Sequence, residues 1–400
     1  MKKKIFLVFV AVLAAVVIGG GAETATAAKE SDYADGSAKE LEDYVDEQLG
    51  DLDSSEIDKL LDGMTEDQLK LFGGMSFKEK VKSLLNGDFS IGYDSLFSAL
   101  FHLFFDGIYS LLPTFSVVAA IAILCGMLNG TKTDFISEGT SNIIFFVCYS
   151  AVLMIILTSV FSLITSVTQN INALANQMNA AFPIILTLMA AGGGTSSVAV
   201  YTPAVAFLSN GVVQVILYMI LPIITLIIVF SVVGNLSGSI KLNKFNEFFK
   251  SAAKWIMGIS ITVFTLFLTV QGITAAAYDG VSFRIAKYTV GNTIPIVGGF
   301  LKDGMDLIIA SSILIKNAVG SFGILLIIST ILAPFLAVVA FSLFLKLTAA
   351  IIQPVTDSRI CEFFSNISAG LNYLIAAVLS VGFMYLLTVV LLICSTNSIL

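Results

Sequence analysis

Six apolar runs, at about 113–130, 142–165, 211–234, 255–276, 320–345 and 371–394, are each long enough to cross a bilayer as a helix, and they limit what this chain can become. In hydrocarbon every backbone N–H and C=O must be satisfied within the chain, so such runs fold as helices. With 57% hydrophobic and only 12% charged residues, and a mean hydropathy of +0.94, too little polar surface remains for a water-soluble globule. The fold class that follows is all-α, a polytopic membrane helix bundle with about six spans.

The N-terminus reads differently. Lys2, Lys3 and Lys4 precede an apolar run from Ile5 to Ile18 and the small residues Ala25, Thr26 and Ala27, the pattern of a signal peptide over 1–28. An uncleaved anchor would leave the next residues on the same side. Residues 29–95 hold 18 Asp plus Glu against 7 Lys, a balance of −11, and read as a short acidic exported helical region. Its capping-box pairs, Ser37 with Glu40, Thr65 with Gln68 and Ser76 with Glu79, predict three short helices. Leu41, Val45 and Leu49, then Ile57, Leu60, Leu61 and Met64, give the first two an apolar stripe each; a solvated stalk is the alternative.

Residues 96–394 form the transmembrane domain, entered through an aromatic stretch at 89–112 that reads as a helix at the membrane interface. If the acidic region is outside, the inner ends of the spans carry Lys132, then Lys241, Lys244, Lys250 and Lys254, then Lys346 and Arg359. That is the positive-inside distribution. Lys241, Lys244, Lys250, Lys254 and Arg359 are candidate cytoplasmic loop contacts, either for a protein partner or for anionic headgroups of the lipid bilayer.

Two stretches look interrupted. Within 278–320, Pro295, the Gly298 and Gly299 pair and Gly304 divide short apolar pieces at 294–301 and 305–315, and Lys302, Asp303 and Asp306 cluster at the break. A re-entrant or broken helix fits this pattern, as does an amphipathic surface loop; charge at membrane depth requires protein or water to receive it. In 182–210, Gly192, Gly193 and Gly194 with Thr195, Ser196 and Ser197 split two apolar pieces of about ten residues in the same way. All nine of these glycines, prolines and charges, Gly192, Gly193, Gly194, Pro295, Gly298, Gly299, Lys302, Asp303 and Asp306, are candidate pore or re-entrant residues. Pro295 follows Pro183 by the same interval as Pro334 follows Pro222, and Glu247-Phe248-Phe249 matches Glu362-Phe363-Phe364. These matches point to a duplication of 182–276 as 294–394.

No Walker A motif, nucleophile elbow or paired carboxylates with a basic partner are present, so the expectation is a non-enzymatic protein without cofactor or nucleic-acid partner. Four scattered cysteines and the single His102 predict neither a disulfide framework nor a metal site.

Asp279-Gly280-Val281 with Ala286-Lys287, Ile294 to Gly299, Lys316-Asn317-Ala318-Val319-Gly320, and Gln353-Pro354-Val355 with Asp357 and Arg359 resemble the stage III sporulation protein AE family of endospore-forming bacteria. The Gly-rich break after Pro183 also fits, whereas Lys302-Asp303-Gly304 replaces the Ser-Asp-Ala type of run expected there. The resemblance implies a mother-cell membrane subunit of an eight-protein assembly. That assembly joins a forespore partner to form a channel, or feeding tube, required for late forespore sigma-factor activity. It also implies the other subunits, with a cytoplasmic ATPase, as partners. A secondary transporter using paired broken helices to bind a small solute is the alternative.

Overall fold

In the computed structural model the described residues are 35–62, 64, 75–86, 93–130, 138–236, 242–293, 298–354 and 358–395. The signal-peptide segment, the Thr65/Gln68 pair, Lys241 and Pro295 lie outside them. Among the described residues three short helices come first: α1 (Asp35–Asp51), α2 (Ser55–Asp62) and α3 (Phe77–Leu85). Long helices follow: α4 (Tyr93–Gly130), α5 (Glu138–Ala191), α6 (Thr195–Phe207), the single turn α7 (Val213–Val215), α8 (Leu221–Leu236), α9 (Asn243–Thr293), α10 (Gly298–Ile352) and α11 (Ser358–Ser395). Two π-turns, Leu208–Val212 and Ile216–Ile220, join α6, α7 and α8, and Phe207, Val212 and Val215 keep right-handed helical angles at the junctions. Residues 195–236 are therefore one helix with two local bulges.

Among the described residues six helices are long and apolar enough to cross a membrane, and they match the six runs read from the sequence: Gly107–Met127, Phe146–Ala191, Val213–Gly234, Lys244–Gly272, Met305–Ile352 and Arg359–Ser395. Their lengths carry the main surprise. The second, fifth and sixth have 46, 48 and 37 residues. At 1.5 Å per residue these reach about 69, 72 and 55 Å, against a hydrocarbon core of about 30 Å.

Several expected interruptions do not occur. Residues 278–293 continue α9 as helix instead of forming a loop, and α10 runs unbroken through Lys302, Asp303 and Gly304. A lone glycine inside a helix costs only about 1 kcal/mol, less than a packed 55-residue helix recovers. Pro183 lies inside α5, Pro113 inside α4 and Pro334 inside α10. Each removes one backbone donor, which neighbouring helices compensate for in a membrane bundle. Residues 89–112 are accordingly no separate interfacial helix from Tyr93 onward, and the piece 182–191 is the end of α5, not one arm of a short hairpin. In the acidic region α1 begins two residues before Ser37, which therefore does not cap it.

The core is a layer of α5, α10 and α11. The α10 and α11 helices form an antiparallel hairpin in which the Ser342 and Ser368 hydroxyls are 2.8 Å apart. Gly382 lies against Ile331 and Gly320 against Ile393, and the missing side chains let the two helices approach. Along α5, which runs antiparallel to α10, the Thr330 hydroxyl donates to Gln177 Oε1 at 2.7 Å, and Phe182 stacks near Tyr385 of α11. Phe115 of α4 packs on Phe341 and Phe344. On the other side, Asn246 Nδ2 of α9 donates to Ser231 Oγ of α8 at 2.9 Å, and Phe207 packs on Phe267.

The charges divide between the two ends of this bundle. Lys244, Lys346 and Arg359 are exposed toward the end where α10 turns into α11, and Lys254, also exposed, lies over Tyr373 farther along α11. The acidic helices α1 to α3 sit toward the other.

The candidate functional site at the acidic end of the bundle

The three short helices are held together by polar contacts at their exposed edges and by apolar contacts beneath. Ser76 caps α3, accepting from Glu79 N while the Glu79 carboxylate accepts from Ser76 N, and these bonds hold Glu79 below the usual carboxylate range. Lys82 Nζ lies 2.7 Å from Asp46 of α1, a hydrogen bond that raises the amine above the ordinary lysine value, and Lys78 Nζ donates to the Gly50 carbonyl. Phe77, Val81 and Leu84 are buried with Val45, Leu49, Ile57 and Leu61. This apolar face docks on α10: Phe77 meets Phe322 edge-on at 5.0 Å between centroids, and Ser312 Oγ donates to Gln48 Oε1 at 3.1 Å. The segment of α10 from Ser312 to Phe322 is thus in contact with the acidic region.

Beside that interface, among the described residues, lies a break in the long helices where the sequence pattern expected one. At the end of α5, Gly194 N donates to Met189 O and Gly193 N to Ala190 O, with Gly193 at φ 86°. This paired 6→1 and 5→2 bonding is a Schellman ending, and its left-handed residue favours glycine. A Cβ at Gly192 would come 3.2 Å from Ile313 Cγ1, so the turn is seated directly on α10. Replacing Gly193 with valine is expected to destabilise the chain by roughly 1–3 kcal/mol, with Asn closer to wild type because it tolerates left-handed angles. Thermal unfolding in detergent measures this, and equal melting temperatures for Val and Gly would refute it.

One turn along α10 from Ile313 is Lys316, whose side chain is fully buried. Its Nζ donates to the Ile393 carbonyl at 2.8 Å, in the last turn of α11. A cation there satisfies a terminal carbonyl and opposes the negative end of the helix dipole. Ser395 Oγ lies 3.1 Å from Met189 Sδ, which closes the circle back to the glycine turn. The site therefore joins the Gly192 to Gly194 turn, the Ile313 to Lys316 segment and the end of α11, under the acidic helices.

The sequence-predicted residues divide accordingly. Gly192, Gly193 and Gly194 belong to this site. Gly298, Gly299, Lys302 and Asp303 fall on the first turns of α10, and Asp306, half-buried, follows on the same helix. Lys244 is exposed and pairs with Glu247 at 3.2 Å, Lys254 lies 5.9 Å above the Tyr373 ring, Lys250 is half-buried, and Arg359 is exposed. In the sequence Lys316 stands out only within the motif Lys316 to Gly320; its placement within a run apolar on both sides was the available signal. Glu247-Phe248-Phe249 and Glu362-Phe363-Phe364 each start at the fifth residue of their helix, but Phe363 and Phe364 are buried whereas Phe248 is 64% exposed.

Among the described residues no group of three or more His, Cys, Asp or Glu is placed to hold a metal ion. No solved structure matches this chain. A curated relative, the stage III sporulation protein AE of Bacillus subtilis (strain 168), is 28% identical over 393 residues, covering 97% of both chains. The profile of the stage III sporulation protein AE family matches residues 75–396, from just before α3 to the end of α11, and the chain belongs to that family.

Proposed function

We propose that this chain is a non-enzymatic, multi-pass subunit of the sporulation channel complex between mother cell and forespore, required for late forespore sigma-factor activity. It sits in the mother-cell membrane with its acidic helices in the space between the two membranes. The observation that supports this reading is the excess length of α5, α10 and α11: about 25–40 Å of helix beyond one hydrocarbon core. A rigid protrusion of that kind suits a subunit that meets others between two membranes. The basic end, with Lys244, Lys250 and Lys254, then faces the cytoplasm, where anionic headgroups and the ATPase are the partners to expect.

The transporter alternative draws on the buried Lys316, since an ionisable group at such depth marks an ion or proton path in many membrane proteins. Two measurements separate the readings. Single cysteines at Ser196, Ser251 and Ser365 on a Cys-free chain are expected to react with an impermeant maleimide from outside, inside and inside respectively. In the same cells the full chain is expected to co-purify the other stage III subunits, and Asp303→Asn with Asp306→Asn to leave that co-purification unchanged. Opposite labelling of Ser251 and Ser365, or solute flux by the purified chain alone, would sink the channel-subunit reading.

A further inference from the structure

From Gly139 to Ile240 the chain contains no Asp, Glu, Lys, Arg or His. Within this charge-free stretch the outward face of α5 changes character. It first exposes Ile143, Phe146, Val147 and Met154, with Phe161 the last large apolar side chain. Toward the acidic end the exposed positions become Thr158, Ser162, Thr165, Gln169, Asn172, Asn176 and Asn179. They recur at intervals of four and three residues, the spacing of the seam along which two helices of a coiled coil meet.

The opposite side of the molecule remains apolar at this depth. Phe207 and Asn179 are equally far from Gly193 along the two arms of the hairpin, and Phe207 packs on Phe267 of α9. At the level of Gln169 to Asn179, α9 therefore exposes Ile259, Val263, Leu266 and Val270. One face at that level suits lipid and the other does not, because hydrocarbon leaves amide groups without partners. Asn172 Nδ2 and Thr165 Oγ1 bond back to the α5 backbone, whereas the side chains of Ser162, Gln169, Asn176 and Asn179 make no hydrogen bond to the described residues.

We infer that this stripe is a self-association seam, and that a second copy of this chain covers it, α5 against α5. Each Asn or Gln amide both donates and accepts, so the stripe is complementary to itself. With no charge on the hairpin, nothing selects a partner of opposite sign. Copies in one membrane share an orientation, so the two α5 helices meet in parallel about an axis along the membrane normal, as closed homo-oligomers require. Hydroxyl and amide side chains between helices are the groups that hold such contacts in a bilayer.

The test uses the full chain in its native membrane with its four cysteines replaced and single cysteines introduced by Gln169→Cys, Asn172→Cys, Asn176→Cys or, on α9, Val263→Cys. Mild oxidation is expected to give a species of twice the chain mass at the α5 positions and at least tenfold less at Val263→Cys. Equal cross-linking on both helices would mean random collision and overturn the seam. Without cross-linking, reaction with a water-soluble maleimide would instead assign the stripe to an aqueous path, and absence of both reactions to lipid or another subunit. If the Cys-free chain does not accumulate, a photo-reactive residue at Asn172 or Val263 in the otherwise native chain gives the same comparison.

Discussion

Replacing Phe77 with alanine is expected to release the acidic helices from the membrane core. Phe77 is fully buried on α3, and its ring is inserted edge-on against Phe322, itself buried on α10. Truncating a buried phenylalanine costs roughly 3–5 kcal/mol through lost transfer energy and the cavity left behind. The polar ties here are weaker: the Ser312 to Gln48 bond is a neutral pair, and the Lys82 to Asp46 pair, about half exposed, joins α3 to α1 and not to α10. Exposed pairs of that kind contribute about 1 kcal/mol or less. A loss of 3–5 kcal/mol raises the undocked population by more than about a hundredfold. Trypsin cleavage at Lys59, Lys78 or Lys82 of the detergent-solubilised chain reads this directly. Phe77→Leu should lie between the two, and an unchanged cleavage rate for Phe77→Ala would show that the docking depends on other contacts.

Lys316 separates stability from function. Lys316→Ala leaves the Ile393 carbonyl without its amine and opens a cavity between α10 and α11, a combined destabilisation of roughly 2–4 kcal/mol. Lys316→Met keeps most of the volume and removes a charge whose desolvation is itself unfavourable, so its stability should equal or exceed that of wild type. The expected order in thermal unfolding is Met at or above Lys, with Ala lowest. The expected order in complementation of a sporulation defect differs, with both variants failing, because an ionisable side chain persists at such depth where its charge is used. Full complementation by Lys316→Met would reduce the residue to a helix cap.

Much of this architecture was legible in the residues. The six apolar runs became six membrane-length helices, and the run of acids before residue 95 and the lysines of the loops settled at opposite ends of the bundle. The triple glycine predicted a true helix end, and it is one, because Gly193 takes a backbone angle that other residues adopt with strain. Apolar length, net charge and glycine freedom are properties of a local segment, so they can be read before any packing is known.

Continuity and burial are decided by neighbours. Gly304 looked like a break, yet it lies within a helix, as do Pro183 and Pro334. The small local penalties at these residues are outweighed by contacts with helices far away in sequence. The same holds for Lys302, Asp303 and Lys316, whose order of interest reversed. The first two stand out in sequence as charges at an apparent break, whereas Lys316 gains its place only because the end of α11, 77 residues away, brings a backbone carbonyl to its amine. Sequence by itself determined that this chain crosses the membrane, how often, and with which charge at each end; tertiary structure alone decided where its helices end and which of its charges lies buried, because those outcomes depend on the free energy of contacts between segments.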